Sequence, residues 1–283
     1  MTALPPLPDM LLEPLIRAAL AEDLGISGDI TTRTVIAPGT ACQGSLRARE
    51  AGIASGMQLA AIAFRLVDPG LDFRLLVPDG TPFDAGEELA RIEGEAASVL
   101  SAERVALNFA GRMSGIATLT AAHVAQTVGT RARITCTRKT TPGLRMVEKQ
   151  AVLHGGGFNH RFSLSDAILI KDNHIAAAGG IRPVLRAVKA RASHMIRTEI
   201  EVDRLDQLAE VLDETGADVV LLDNMDIPTL REAVAMASGR VLLEASGNMR
   251  LDRIAEVAAA GVDYISVGGL THSSRPLDLA VDF

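Results

Sequence analysis

One stretch of this 283-residue chain, residues 135–161, carries an unusual number of basic side chains. It places Arg138 beside Lys139 and, after three consecutive glycines, His160 beside Arg161. Guanidinium and ammonium groups bind carboxylates and phosphates through charge-assisted hydrogen bonds, and glycine lets a ligand approach the backbone closely. A helix C-cap is the alternative role for the glycines, although three exceed what a cap needs. We therefore expect this stretch to bind a ligand with several negative charges.

Lysine is rare in the chain and occurs where chemistry is expected. Only four of the 28 basic residues are lysines, and Lys139 and Lys171 both follow strand-like runs. Chance is one explanation. The other is that lysine was retained as a compact charge that binds phosphate and whose pKa shifts easily.

Carboxylates stand at the ends of two further strand-like runs. In TEIEV, Glu199 and Glu201 share one face of the strand, and Asp223 ends the next apolar run. Unpaired carboxylates are expensive to bury in an apolar strand, so a surface salt bridge does not explain them. We expect them to bind Mg²⁺, bind ribose hydroxyls or stabilise a developing cation.

Two glycine-containing loops follow the last two strand-like runs. The first runs directly into a helical pattern, where backbone N–H groups could hold an anion. Loops after the final strands of βα barrels frequently bind phosphate, although tight turns without a ligand remain the alternative. The loops comprise Ser246, Gly247 and Asn248, and Ser266, Val267, Gly268 and Gly269.

The elements that would position these residues alternate between strand and helix. Six apolar runs, each succeeded by an amphipathic helical run, are ARITC, AILI, TEIEV, VVLL, RVLLEA and DYISV. This alternation predicts a parallel sheet, and six units without a dinucleotide fingerprint predict an incomplete barrel. Barrel active sites form at the carboxyl ends of the strands. Most ionisable residues of these runs fall there, which favours an enzyme.

The first hundred residues predict a mixed α+β unit. A helix with an apolar face precedes Gly25, and short strand-like runs alternate with turn signals. A long helical pattern then covers about residues 98–128. Gly111 and Gly115 inside it predict either a break or close packing.

Composition excludes several classes of protein. The net charge of −7 disfavours a general nucleic-acid binder, and the two cysteines match no zinc or redox spacing. The sequence has no signal-peptide pattern and no apolar run that could span a bilayer, so a soluble, cytoplasmic protein is expected. It also lacks the GxxxxGK[ST], HExxH and GxSxG motifs.

Over essentially its full length the chain resembles the quinolinate phosphoribosyltransferase family. The motifs that carry this resemblance are EDLGISGDITT, ERVALNFAGRMSGIAT, TRKTTPGLRMVEKQAVLHGGGFNHR, DAILIKDNHI, EIEV, LLDNM, EASGN and ISVGGLTHS. The resemblance implies an α/β protein with an N-terminal α+β sandwich domain, residues 1–115, joined by the tail 271–283. An incomplete (open) TIM-like α/β barrel, residues 116–270, would follow.

The resemblance also implies a role for each part of the site. The catalytic residues would be Lys139, Lys171, Glu201 and Asp223. Quinolinate would bind Arg138, Lys139, His160, Arg161 and Lys171, with Thr137 alongside and Arg104 reaching in from a partner subunit. Glu201 and Asp223 would contact Mg²⁺ and the ribose of 5-phosphoribosyl-1-pyrophosphate, and the two glycine loops would hold its 5′-phosphate. A homodimer with a shared active site is expected, with a hexamer as the larger alternative.

Three other functions remain open at this point. The molybdenum-transport paralogue of the same fold would use another acceptor, although Lys171–His174 keeps the quinolinate-enzyme pattern. A barrel aldolase would use Lys139 or Lys171 as a Schiff base. A non-catalytic phosphometabolite-binding protein would bind anions without turnover.

Overall fold

The computed structural model of the chain describes residues 4–283, in which eleven helices and twelve strands form. The helices are α1 (Asp9–Leu24), α2 (Ile30–Val35), α3 (Met57–Val67), α4 (Ala96–Ala125), α5 (Arg145–His154), α6 (Asp172–Ala178), α7 (Ile181–Arg191), α8 (Leu205–Glu214), α9 (Ile227–Ala237), α10 (Leu251–Ala259) and α11 (Gly269–His272). The strands are β1 (Ala41–Ala48), β2 (Gly52–Ile53), β3 (Asp72–Leu75), β4 (Pro82–Phe83), β5 (Glu88–Glu95), β6 (Arg133–Thr135), β7 (Ile168–Ile170), β8 (Thr198–Val202), β9 (Val219–Asp223), β10 (Leu242–Ser246), β11 (Tyr264–Ser266) and β12 (Leu279–Asp282).

The described residues divide into two compact units. The first contains the chain up to Ala121 together with Thr141–Gly156 and Ser274–Phe283, and the second contains Ala122–Thr140 and Gly157–Ser273. Helix α5, which the alternating pattern assigns to the βα series, therefore belongs to the first unit. The domain boundary at residue 115 stays a prediction.

The first unit is built on a four-stranded antiparallel sheet in the order β12-β1-β5-β3. Strand β1 alternates between covered and exposed residues, which buries Leu46 and Ala48 on one face. On α1, Leu12, Ile16 and Leu20 recur every four residues and are buried, so a single stripe of this helix faces the core. The last strand of the chain, β12, pairs with β1 and so belongs to the same sheet.

The two glycines of α4 serve close packing, because the helix continues through both without a break. A Cβ atom on Gly115 would lie 2.0 Å from the carbonyl oxygen of Arg275, and one on Gly111 would lie 2.8 Å from that of Leu277. The N–H of Leu277 also donates to the Gly111 carbonyl at 2.9 Å. The C-terminal segment therefore lies directly against the bare backbone of α4.

We expect Gly115→Ala to destabilise the protein by about 1–3 kcal/mol, since backbone must shift to admit the methyl group. The gain in helix propensity from glycine to alanine, about 1 kcal/mol, opposes this loss but does not cancel it. Urea unfolding would measure the difference, with Asn108→Ala on an exposed position of α4 as the control. A Gly115→Ala protein as stable as the wild type would contradict the packing argument.

The second unit contains six parallel strands in the order β6-β11-β10-β9-β8-β7. Strands β6 and β7 are the two edges, so the sheet does not close between them. This arrangement confirms the predicted incomplete barrel, with α7 to α10 connecting successive strands from β7 to β11.

The basic stretch lies along the open side of this barrel. The backbone of Phe158 continues the ladder beyond β6, since its N–H donates to Ile134 and its carbonyl accepts from Cys136. Three residues later, the Nη1 atom of Arg161 donates to the carbonyl of Ala167, immediately before β7, at 3.1 Å. The segment that carries His160 and Arg161 is therefore tied to both edge strands.

Candidate active site

Strand register aligns polar residues at the carboxyl ends of the central strands. Asp223 pairs with Ser246, while Glu201 pairs with Leu221, two residues before Asp223. Because paired residues and residues two apart share a face, Glu201, Asp223 and Ser246 all face the same side of the sheet. The second unit thus brings two carboxylates and a glycine loop to one end.

Lys171 reaches the first of these carboxylates from the neighbouring strand. Its Nζ lies 2.5 Å from Oε2 of Glu201, and the lysine side chain is about half exposed. An exposed ion pair contributes about 0–1 kcal/mol to stability, so this contact mainly orients the two groups. The N–H of Lys171 donates to Nδ1 of His174 and so closes the first turn of α6. His174 therefore has a structural role as a helix cap.

The backbone of Lys139 is held by two hydrogen bonds, one to the preceding Thr137 and one from Thr271 of α11. Its N–H donates to Oγ1 of Thr137 at 3.1 Å, and its carbonyl accepts from Oγ1 of Thr271 at 2.7 Å. A Cβ atom on Gly268 would lie 3.1 Å from Cδ of Lys139. Gly268 therefore leaves room for the lysine stem, a reason for glycine that is independent of phosphate.

Beneath these residues, His160 lies against two buried acids. Its Nε2 is 2.8 Å from Oε2 of Glu199 and 3.6 Å from Oε1 of Glu244, the second distance being too long for a hydrogen bond. Its Nδ1 accepts the N–H of Arg161 at 2.8 Å. Because Nδ1 accepts, Nε2 carries the proton and donates it to Glu199, so the hydrogen bonds assign a neutral imidazole.

The same three side chains offer ligand atoms within 4.8 Å of one another, a spacing compatible with a metal ion. A metal would need the Nε2 lone pair of His160, and that nitrogen carries the proton with which it hydrogen-bonds Glu199. The three side chains therefore form a hydrogen-bonded acid–imidazole group.

Glu244 is the acid whose ionisation is most perturbed. Burial and, second, the neighbouring charge of Glu199 raise its pKa from 4.5 to about 8, against a hydrogen bond with Ser266 that lowers it. At neutral pH Glu244 therefore holds a proton.

We expect Glu244→Gln to stabilise the protein by about 2–3 kcal/mol at pH 7. Glutamine keeps the shape of the neutral acid, whereas folding of the wild type must take up a proton between pH 4.5 and about 8. Wild-type stability should therefore fall relative to the variant as pH rises through this window, and the two should converge near pH 4.5. Urea unfolding at pH 5, 6, 7 and 8 tests this, with the exposed Glu232→Gln as control. A stability difference that does not change with pH would contradict the assignment.

Arg138 and Arg161 form the cationic part of the site. The pKa of Arg161 is lowered, first by burial and second by the charge of Arg138, which places the two guanidinium groups close together. Glu199 opposes this shift. The buried Nε of Arg161 has no hydrogen-bond partner among residues 4–283. A pair of repelling, partly desolvated cations over one buried carboxylate is suited to a dianion.

The two glycine loops differ from the expected geometry in one respect. Helix α10 begins at Leu251, with Arg250 as its N-cap, so the Ser246–Asn248 loop does not run directly into the helix. Met249 and the N-cap Arg250 separate the loop from the helix, and use of the helix N-terminus by this loop stays a prediction. In the other loop, the N–H of Val267 donates to Thr135 within the sheet, and the hydroxyl of Ser266 is buried.

Arg104 and two buried acids differ in how far the sequence predicted their roles. Arg104 is exposed on α4 in the first unit, and its predicted role at a partner's site stays a prediction. Glu199 was expected to share a ligand-binding role with Glu201 and instead contacts His160, while the sequence patterns gave no role to Glu244 or Asn224. An acid flanked by aliphatic residues on a buried strand was the signal that could have identified the pair.

Family models match nearly the whole chain. The model of the quinolinate phosphoribosyl transferase N-terminal domain matches residues 29–114, and that of the C-terminal domain matches residues 116–282.

Curated relatives and solved structures agree with this match. The chain is 40% identical over 271 residues to a probable nicotinate-nucleotide pyrophosphorylase [carboxylating] of Bacillus subtilis, covering 96% of this chain and 93% of the relative. It is 44% identical over 272 residues to the nicotinate-nucleotide pyrophosphorylase [carboxylating] of Mycobacterium leprae, covering 94% and 95%. The NadC structure from Streptococcus pyogenes superposes with a TM-score of 0.95 at 38% identity, covering 99% of this chain and 98% of that one. With this similarity along its whole length, the chain belongs to the quinolinate phosphoribosyltransferase family.

Proposed function

We propose that the chain transfers the phosphoribosyl group of 5-phosphoribosyl-1-pyrophosphate to quinolinate, with loss of CO2, and so forms nicotinate mononucleotide and pyrophosphate. One observation carries this proposal. The same barrel contains a pair of guanidinium groups suited to a dianion and a pair of carboxylates beside a glycine loop. Family membership supports the same reaction, as relatives of this length and identity are named for it.

The acceptor would bind at the basic stretch. Arg138 and Arg161 would hold the two carboxylates of quinolinate, with Lys139 and Lys171 beside them and Arg104 supplied by a partner subunit. His160 has both ring nitrogens engaged by the protein, so its contribution would be to hold Arg161 and Glu199 in position. Direct binding of quinolinate by His160 would require one of those hydrogen bonds to break.

The donor would bind at the carboxyl ends of β8 to β11. The Ser246–Asn248 loop and the N–H groups of Gly268 and Gly269 would hold its 5′-phosphate. Glu201 and Asp223, on the same side of adjacent strands, offer the carboxylate oxygens that Mg²⁺ prefers and would hold it together with the pyrophosphate. Bound there, Mg²⁺ would neutralise charge on the leaving pyrophosphate.

The reaction follows from the placement of charge. As the bond between the ribose C1 and pyrophosphate breaks, positive charge develops at C1, and the carboxylates of Glu201 and Asp223 would stabilise it. The arginine and lysine contacts would orient quinolinate so that its ring nitrogen attacks C1. The resulting pyridinium accepts the electron pair of the adjacent C–CO2 bond, CO2 leaves, and that ring carbon then takes up a proton.

The defining experiment incubates the purified protein with 5-phosphoribosyl-1-pyrophosphate, Mg²⁺ and either quinolinate or nicotinate. We expect nicotinate mononucleotide and an equal amount of CO2 with quinolinate, and no product with nicotinate. Product from nicotinate but not quinolinate would overturn the proposal. A Schiff-base reaction is disfavoured because the ammonium of Lys171 is engaged by Glu201, and borohydride trapping tests it directly.

The proposal includes the assembly of the chain. A homodimer is expected because Arg104 would complete a partner's site, and light scattering of the purified protein would distinguish it from a hexamer. No helix within residues 4–283 is both long and apolar enough to cross a membrane.

A further inference from the structure

Asn224 joins the glycine loop to a carboxylate of the donor site, although the proposed reaction gives it no role. Its Nδ2 donates to Oδ2 of Asp223 at 2.8 Å, and its Oδ1 accepts from Nδ2 of Asn248 at 3.1 Å. Its backbone N–H also donates to the carbonyl of Ser246 at 3.0 Å, extending the pairing of β9 with β10 by one residue. One side chain therefore spans from the loop to the strand end.

The backbone of this region is shaped around that amide. A Cβ atom on Gly247 would lie 2.2 Å from Oδ1 of Asn224, so the amide packs onto the bare Cα of the glycine. Asn224 and Asn248 both adopt left-handed conformations, with φ of 54° and 50°. Asparagine is the non-glycine residue that tolerates this region best, and most other side chains would be strained there. The absence of a Cβ at Gly247 and the left-handed conformations of Asn224 and Asn248 therefore all belong to one backbone arrangement.

The direction of the hydrogen bonds is fixed by chemistry. An ionised Asp223 only accepts, so the donor end of the Asn224 amide must face it. The oxygen end then faces Asn248, which must present its own donor end. This gives an ordered relay, from the Asn248 amide through the Asn224 amide to the Asp223 carboxylate.

We propose that Asn224 is a positioning residue that couples the phosphate-binding loop to Asp223, so that ordering of the loop by phosphate also orients this carboxylate toward the reacting ribose. The proposal rests on the assignment of the donor site under the proposed function. It predicts that losing the relay impairs use of the phosphoribosyl donor and leaves quinolinate binding intact.

The exposure of the relay makes it testable. Asn224 and Asn248 are both exposed, so their hydrogen bonds compete with water and contribute little to the stability of the fold. Substitutions at Asn224 should therefore give folded protein, and a kinetic defect can be separated from a loss of structure.

Two substitutions distinguish the effect of the Asn224 side-chain amide from the effect of its left-handed backbone conformation. Asn224→Gly keeps the left-handed conformation without strain and deletes the amide. Asn224→Asp keeps the size and the acceptor for Asn248 but faces Asp223 with a second carboxylate. Steady-state kinetics would be measured at saturating Mg²⁺, varying 5-phosphoribosyl-1-pyrophosphate and quinolinate in turn, with thermal unfolding as the check of folding.

For Asn224→Asp we expect KM for the donor to rise about tenfold and kcat to fall several-fold, as one uncompensated charge contact allows. KM for quinolinate should stay within about twofold. Asn224→Gly should show a smaller rise in donor KM with the same selectivity. Donor kinetics equal to wild type in both variants, or equal losses for donor and quinolinate, would overturn the relay.

The selectivity of the defect is the readout that a purely structural role would not give, because donor KM should rise while quinolinate KM does not. Folded Asn224 variants in which both KM values rise in parallel would overturn the donor role.

The relay can fail independently of the proposed function. Turnover of quinolinate by the wild type together with unaffected Asn224 variants would overturn the relay and leave the proposed function standing. If the wild type does not turn over quinolinate, calorimetry with 5-phosphoribosyl-1-pyrophosphate and Mg²⁺ replaces the kinetics. Weaker binding by Asn224→Asp than by wild type would then support the relay, and equal binding would overturn it.

Discussion

Replacing Arg138 with alanine is expected to weaken quinolinate binding by about 2–4 kcal/mol, because a desolvated carboxylate of the substrate loses its charged partner. Arg138 lies near the half-buried Arg161, whose pKa its charge lowers, and a bound anion would reduce the repulsion between the two guanidinium groups. The loss should therefore appear in the affinity for quinolinate, measured by calorimetry or as KM, while the affinity for the phosphoribosyl donor changes little.

The control for this substitution is Arg197→Ala. Arg197 is well exposed and precedes the amino end of β8, where it makes a surface contact of 3.4 Å with Asp218. Its removal should leave both substrate affinities unchanged, since exposed pairs contribute little. Unchanged quinolinate affinity in Arg138→Ala would remove this arginine from the acceptor site.

Replacing Glu201 with glutamine is expected to lower kcat by about 10²–10³-fold, the usual cost of losing one preorganised electrostatic contact to a transition state. Glutamine keeps the size of the side chain and removes the negative charge that would face the ribose C1. It also leaves the ammonium of Lys171 without its partner. Quinolinate should then bind as well as in the wild type or more tightly, because the lysine charge is no longer neutralised.

The two effects of Glu201→Gln have opposite signs, which distinguishes the proposed role from general damage to the site. Steady-state kinetics should show the loss in kcat without a rise in the KM of quinolinate, and Glu256→Gln on the exposed side of α10 serves as control. Parallel losses in kcat and quinolinate affinity would mean that Glu201 only holds Lys171. An unaffected kcat would exclude its carboxylate from the reaction.

The open side of the barrel explains why the basic stretch is suited to a charged ligand. A closed barrel would satisfy the edges of β6 and β7 with each other, whereas here Phe158 pairs with β6 and Arg161 bonds the residue before β7. The arginine and histidine are thus fixed by backbone contacts on both sides. Such preorganisation lowers the cost of arranging several cations around one small dianion.

Local patterns in the sequence were enough to predict the βα order and the strand ends. Apolar runs alternating with amphipathic runs identified six parallel strands, and the period of two placed Glu199 and Glu201 on one face. The positions of Lys171 and Asp223 followed from the ends of their runs. These features depend only on residues that are close together in the chain, so a single sequence is enough to predict them. The resemblance to the family supplied the reaction and the roles of the residues.

Only the tertiary structure showed which distant groups meet. His160 and Glu199 are separated by 39 positions, and their contact depends on where the segment after β6 lies against β8. The proton on Glu244 results from burial beside Glu199, which no local pattern encodes. Gly247 and Gly268 accommodate the side chains of Asn224 and Lys139, whereas the sequence suggested only a ligand or a turn. Register and burial are set by long-range packing, so these contacts had to be observed in the folded chain.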